Sequence, residues 1–193
     1  EEYQEIIASK NKQGENGFLK AYQAGHHDIV EMLLKQVTHE EIIDSKDQEG
    51  ENVFMKSCNK GQYKIVELHL KNPSISAVIN DRDNKGTTGF MKACYMGQYD
   101  IVELHLNQDN NLDFIASKDQ QGENGFMKAC KMGQQRIIEL LLKHPSISAI
   151  INDKDNKGTT GYMKACLAPS ISVMELIHDQ TTDPIKRDDA YYI

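Results

Sequence analysis

The chain has no long apolar run. Its longest nearly apolar stretch, Ile137 to Leu142, is interrupted by Glu139 and is far too short to cross a bilayer. It has no basic excess either. Lys and Arg number 22 against 29 Asp and Glu, for a formal charge of −7 and a pI near 5.5. A general nucleic-acid binder carries the opposite balance, so the charge describes a self-repelling surface and names no partner. No basic-then-apolar start resembles a signal peptide, and the first residue is Glu1 rather than Met, which leaves room for a processed start. A Gly-rich phosphate loop, a His-Glu-x-x-His and a Cys-x-x-Cys are also absent.

What the chain has in abundance is self-similarity. Gly14, Gly50, Gly86, Gly122 and Gly158 stand 36 residues apart. A second glycine follows eleven residues later at Gly25, Gly61, Gly97 and Gly133, and Pro169 takes its place in the last copy. A fixed period of about 20–50 residues marks a repeat array. Each unit can bury its apolar face only against its neighbours. The 193 residues therefore read as one elongated domain, with units at about 1–36, 37–72, 73–108, 109–144 and 145–180, and 181–193 as a C-terminal tail or cap. Nothing polar and specialised covers the first unit, so further repeats are expected upstream. A longer period is superposed: the segments from Pro73 to Cys94 and from Pro145 to Cys166 differ at three of 22 positions. Units with Gly-Glu-Asn (Gly50, Gly122) alternate with units with Gly-Thr-Thr (Gly86, Gly158), as duplication of a 72-residue pair would produce.

Within one unit, Asp83-Asn84-Lys85-Gly86 has turn chemistry, with Gly86 free to take φ > 0. Thr88 fits a helix N-cap, and Asn16, Asn52, Asn124 and Thr160 stand in its place elsewhere. The spacing predicts a helix from Gly89 to Met96 that buries Phe90, Met91, Ala93 and Cys94. Gly97 ends it through a left-handed residue. A second helix, Gln98 to Leu106, buries Ile101, Val102, Leu104 and Leu106. Helices this short do not persist alone in water, so stacking must hold them. In the linkers, Pro73 and Pro145 should stop the preceding helix. Ser74 and Ser146 would then cap an extra helical turn that points Ile75, Val78 and Ile79 inward; an extended loop is the alternative. Cys58, Cys94, Cys130 and Cys166 share one column. Stacked helices lie roughly 8–10 Å apart, whereas bridged Cα atoms rarely exceed about 7 Å. Free, buried thiols are expected, and with them a reducing compartment, cytoplasmic or nuclear.

The pattern Asp83-x-x-Gly86-x-Thr88-x-Phe90-x-x-Ala93-x-x-x-Gly97-x-x-x-Ile101-Val102-x-x-x-Leu106 resembles the ankyrin repeat. The resemblance implies an all-α, ankyrin-type helix-turn-helix solenoid of about five stacked repeats, with turn-bearing fingers projecting at right angles. The linkers add an extra helical turn to that expectation. The family's Thr-Pro-Leu-His is replaced by Thr88-Gly89-Phe90-Met91, so its threonine–histidine hydrogen bonding is not carried over. A column of Met55, Met91, Met127 and Met163 stands instead as adaptable packing. The period also exceeds the family's usual 33, with the surplus in the linker, which leaves open whether the fingers are shortened or partly helical.

The same resemblance turns a lysine column (Lys20, Lys56, Lys92, Lys128, Lys164) toward the concave groove. Two readings fit it: a track for an acidic peptide, or a solvated row partly neutralised by Glu15, Glu51 and Glu123. Tyr95, Met96, Lys131 and Met132, with Asn59 and Lys60 in the same columns, face solvent within the groove, as contact anchors or packed on the neighbouring finger. Asn84 and Lys85 at the finger tip, like Gln48, Glu49, Gln120, Gln121, Asn156 and Lys157, would tune specificity. His69 and His105 lie one unit apart, too far for both to sit about 2 Å from one metal ion, and read as partly buried helix histidines. The expectation is a non-enzymatic module, with no catalytic residue, cofactor or metal. As a monomer it would bind a protein or peptide, an acidic segment included, through its concave face and turn tips. The alternative is a structural spacer or targeting arm of a larger enzyme or host-directed effector.

Overall fold

Each unit opens on a side chain that ties its own turn. In the computed structural model, which describes residues 9–36, 43, 45–72, 78–108, 112–168 and 176–177, the Asp83 Oδ1 accepts hydrogen bonds from the Lys85 and Thr87 amides at 2.9 and 2.8 Å. The Gly86 amide donates to the Asp83 carbonyl at 2.9 Å, with Gly86 at φ +76°. Asp47, Asp119 and Asp155 repeat the arrangement, and Asn11 serves in the first unit. The fingers are therefore ordinary turns, not helical, and the surplus residues lie in the linkers.

The α-helices are α1 Gly17–Gln23, α2 His27–Gln36, α3 Val53–Lys60, α4 Tyr63–Lys71, α5 Gly89–Met96, α6 Tyr99–Leu106, α7 Leu112–Ala116, α8 Gly125–Met132, α9 Gln135–Lys143 and α10 Gly161–Leu167. Among the described residues there is no strand, only an isolated bridge between Lys154 and Thr160. The side-chain oxygens of Asn16, Asn52, Thr88, Asn124 and Thr160 each accept the amide three residues on, which satisfies one orphan donor per helix. Gly61, Gly97 and Gly133 end α3, α5 and α8 in the left-handed region. The second helix begins at Tyr99, one residue later than predicted. Gln98 holds its N-cap position without capping it, because its side chain reaches back to the preceding unit. Gln98 Nε2 donates to the Asn59 carbonyl at 3.1 Å, and Gln134 Nε2 to that of Tyr95 at 3.0 Å. Each bond satisfies a last-turn carbonyl of the unit before.

The inner helices α3, α5, α8 and α10 stack in succession, and the outer helices α2, α4, α6 and α9 do the same. Phe18, Phe54, Phe90 and Phe126 fill the space between the layers. Their rings explain the glycine where the family has proline: a Cβ on Gly89 would meet Phe54 Cε1 at 2.8 Å, and one on Gly125 would meet Phe90 Cε1 at 2.7 Å. Met55, Met91 and Met127 are fully buried, whereas Met163, beyond which no described helix stacks, is 51 % exposed. Cys58, Cys94 and Cys130 are buried and free, with burial pushing their thiols up, and Cys166 is free and exposed. The three buried thiols are poor nucleophiles.

The extra linker turn is present at Pro145–Ala149 as a 3₁₀ helix, with Ile147 and Ile150 buried. Its cap is His144 and not Ser146: the Ser146 amide donates to His144 Nδ1 at 3.3 Å, because proline at the first position moves the cap one residue upstream. In the fourth unit the linker forms α7, which buries Phe114 and Ile115. Ser74, Ile75, Pro169 and the tail from 181 onward lie outside the described residues.

Candidate functional site

Fingers and inner helices enclose a series of clefts, and the lysine column runs along them. The column is not a row of free charges. Lys92 Nζ lies 2.6 Å from both Glu51 Oε1 and Asp83 Oδ2, and Lys164 lies 2.6 Å from Glu123 and 2.7 Å from Asp155. Lys56 pairs with Asp47 and Glu51, and Lys128 with Asp119 and Glu123. Side-chain exposure is 20 % for Lys56 and falls to 13, 11 and 10 % for Lys92, Lys128 and Lys164. Only Lys20, with Asn11 in place of the aspartate, remains 54 % exposed on a single carboxylate partner, Glu15. The solvated-row reading named the glutamates but missed the aspartates. The signal was available, since an aspartate precedes the lysine by nine residues in units two to five.

The electrostatics agree with this geometry. Burial alone would raise the Asp83 carboxyl, but the Lys92 ammonium and the Thr87 and Lys85 amides hold it below its usual range. Burial would lower Lys92, and Asp83 and Glu51 raise it instead. The Lys164 ammonium brings Asp155 down to about 2. The 72-residue period now has a physical content. Glu51 and Glu123 each bridge to the lysine of the following unit, where Thr87 and Thr159 stand in the glutamate's column.

The finger tips divide into fasteners and free ends. Asn84 is a fastener: its amide donates to the Glu49 carbonyl at 3.0 Å and its Nδ2 to the Gln48 carbonyl at 2.8 Å. Gln120 and Asn156 join the next fingers in the same way. Lys85 and Lys157 are exposed and, among the described residues, have no ion-pair partner.

Tyr95 and Met96 project from the last turn of α5, 37 and 47 % exposed. They line a cleft of about 570 Å³ with Met91 on its floor and Asn84 and Lys85 on its finger side. Asn59, Lys92 and Lys128 line the same cleft, so it gathers seven of the eleven residues singled out from sequence. Lys131 lines a second cleft of about 950 Å³ toward the C-terminal end, with Lys85 and Lys128 shared between the two. Lys56 lines a third, toward the N-terminal end. Lys60 instead stands 5.4 Å from the centre of the Tyr22 ring. Met132 is 42 % exposed but lines none of these three clefts.

His69 and His105 are fully buried rather than partly, and neither faces the groove. Each ring's Nδ1–H donates to a carbonyl four residues back, of Ile65 and Ile101, at 2.8 Å. The rings alternate with phenylalanines: Phe54 lies 5.4 Å from His69 and 5.7 Å from His105. Neither Nε2 has a hydrogen-bond partner, and burial lowers both imidazoles to about 4. Among the described residues no group of three or more His, Cys, Asp or Glu is placed to hold a metal ion. No described helix is long and apolar enough to cross a membrane.

The family model for ankyrin repeats, three copies, matches residues 18–116 and again 90–188. The chain belongs to the ankyrin repeat family. Ankyrin repeats are generally protein–protein interaction modules. No curated protein matched this chain.

Proposed function

We propose that this chain is a monomeric, non-enzymatic binding module that takes a protein segment into its concave groove. The observation that carries the reading is the Tyr95–Met96 cleft. Two large apolar side chains stand exposed side by side there, on a rigid helix end, beside a finger that can contribute polar contacts. Aromatic and methionine side chains are the usual anchors of interfaces. A preformed groove adds little ordering cost on the repeat side. Lys85, Asn59 and Lys131 supply the polar rim. Lys92 and Lys128 shape the floor, engaged with their carboxylates rather than with the partner. Met132 extends the contact beyond the cleft.

Alanine at Tyr95, Met96 and Met132 is the test. These side chains are exposed, so the variant should keep its circular dichroism and melting temperature while losing the proteins that the parent chain captures. Capture of the same proteins at the same yield would sink the concave-groove reading.

A further inference from the structure

The three clefts form one groove, because neighbours share walls: Gln48 and Glu49 between the first two, Lys85 and Lys128 between the last two. Their charges change steadily along it. At the N-terminal end Glu15, Asp47 and Glu49 face Lys20 and Lys56. In the middle, three carboxylates face three lysines. At the C-terminal end five lysines face only Glu123 and Asp155. Lys128 and Lys164 are spoken for there by buried or half-buried carboxylates, and Lys131 by a longer 3.4 Å contact to Glu123. The positive charge left for a partner is therefore that of the unpaired tips Lys85 and Lys157, in a chain whose net charge is −7. These two lysines are equivalent members of the duplicated pair, two units apart.

We infer that the groove is electrostatically polar and binds an extended acidic protein segment in one direction, with carboxylates on Lys85 and Lys157 and an apolar side chain at Tyr95–Met96. The inference rests on the groove reading above and adds the partner's chemistry and orientation. Two units of stacked helices span roughly 20 Å, which an extended chain covers in about six residues. The segment's two acidic positions stand about that far apart. The apolar anchor shares its cleft with Lys85 and not with Lys157, so reversing the segment would draw its apolar residue away from Tyr95–Met96, and Glu49 at the N-terminal tip disfavours acidic residues beyond Lys85.

The test is selection of random linear peptides on the full chain, on Lys85→Glu/Lys157→Glu and on Tyr95→Ala/Met96→Ala, with melting temperatures confirming that all three fold alike. The parent should enrich peptides that combine an apolar residue with two acidic ones about six positions apart. By fluorescence anisotropy, one such labelled peptide should bind the lysine-reversed variant about tenfold more weakly, with the gap closing at high salt. The Tyr95/Met96 variant should enrich nothing. Enrichment without acidic bias, or equal affinity for the lysine-reversed variant, overturns the inference. Acidic peptides that respond to the lysine reversal but not to Tyr95/Met96 would remove the apolar anchor instead. Phosphatidylserine vesicles and a single-stranded oligonucleotide serve as the other anions, and tighter, lysine-dependent binding to either would overturn the protein segment as occupant.

Discussion

Two columns of ionisable side chains run through the stack. The lysines of the inner helices are mostly buried, yet each from Lys56 onward is met by two carboxylates, one of them an aspartate of its own finger. The histidines of the outer helices are buried between phenylalanine rings with one ring nitrogen unpaired. Repetition accounts for both outcomes. A residue type that recurs from one unit to the next meets whatever recurs opposite it, and the lysine column faces acids while His69 and His105 face Phe54 and Phe90. The first column stays charged and joins neighbouring units, and the second stays neutral.

Glu123→Gln breaks the lysine side hardest, because one carboxylate serves Lys128, Lys131 and Lys164. Leaving buried ammonium groups short of a partner should cost about 3 kcal/mol in urea unfolding. The histidine side is broken by acid. Their folded value of about 4 lies below the unfolded 6.5. The unfolded chain therefore binds protons first, and stability present above pH 6.5 is lost as pH falls toward 4. Each histidine should account for about 3 kcal/mol of that loss. Asp83, Asp155 and Glu123 are held below their usual values, so their contribution persists lower still and is lost only as pH falls through the carboxylate range. His69→Leu/His105→Leu should abolish the first loss and leave the second. It is a fair exchange, since Leu33 and Leu141 fill the same column and are buried.

Gly125→Ala tests the packing on which both columns depend. Its new methyl would meet the Phe90 ring, which is buried against His105 and Phe114, at a cost of about 1–3 kcal/mol. A smaller effect belongs to Lys20→Ala, exposed on one glutamate, which should change stability by less than ~1 kcal/mol.

What could be read from sequence was what is decided locally. The bounds of α5, the capping Thr88 and Asn124 and the left-handed Gly97 follow from neighbours a few residues away. The Tyr95–Met96 exposure was expected from the resemblance to the ankyrin repeat, whose corresponding columns face solvent. What escaped was decided across units. Glu51 reaches Lys92 over 41 residues, and Gln98 reaches Asn59 over 39. The aspartate nine residues before Lys56, Lys92, Lys128 and Lys164, absent before the exposed Lys20, was a local mark of the buried lysines, but nothing local marked the glutamate of the preceding unit. Asn84 shows the same limit: a polar turn tip reads as a contact residue, yet its side chain is spent joining one finger to the next.

The central claim is that the inner lysines hold the stack together while the tip lysines are left for a partner. The direct measurement is the urea midpoint of Lys92→Met beside that of Lys85→Met, each removing one charge from the same cleft. The account predicts a clear drop for Lys92→Met, worth about 3 kcal/mol, and no resolvable change for Lys85→Met. Equal midpoints would contradict it.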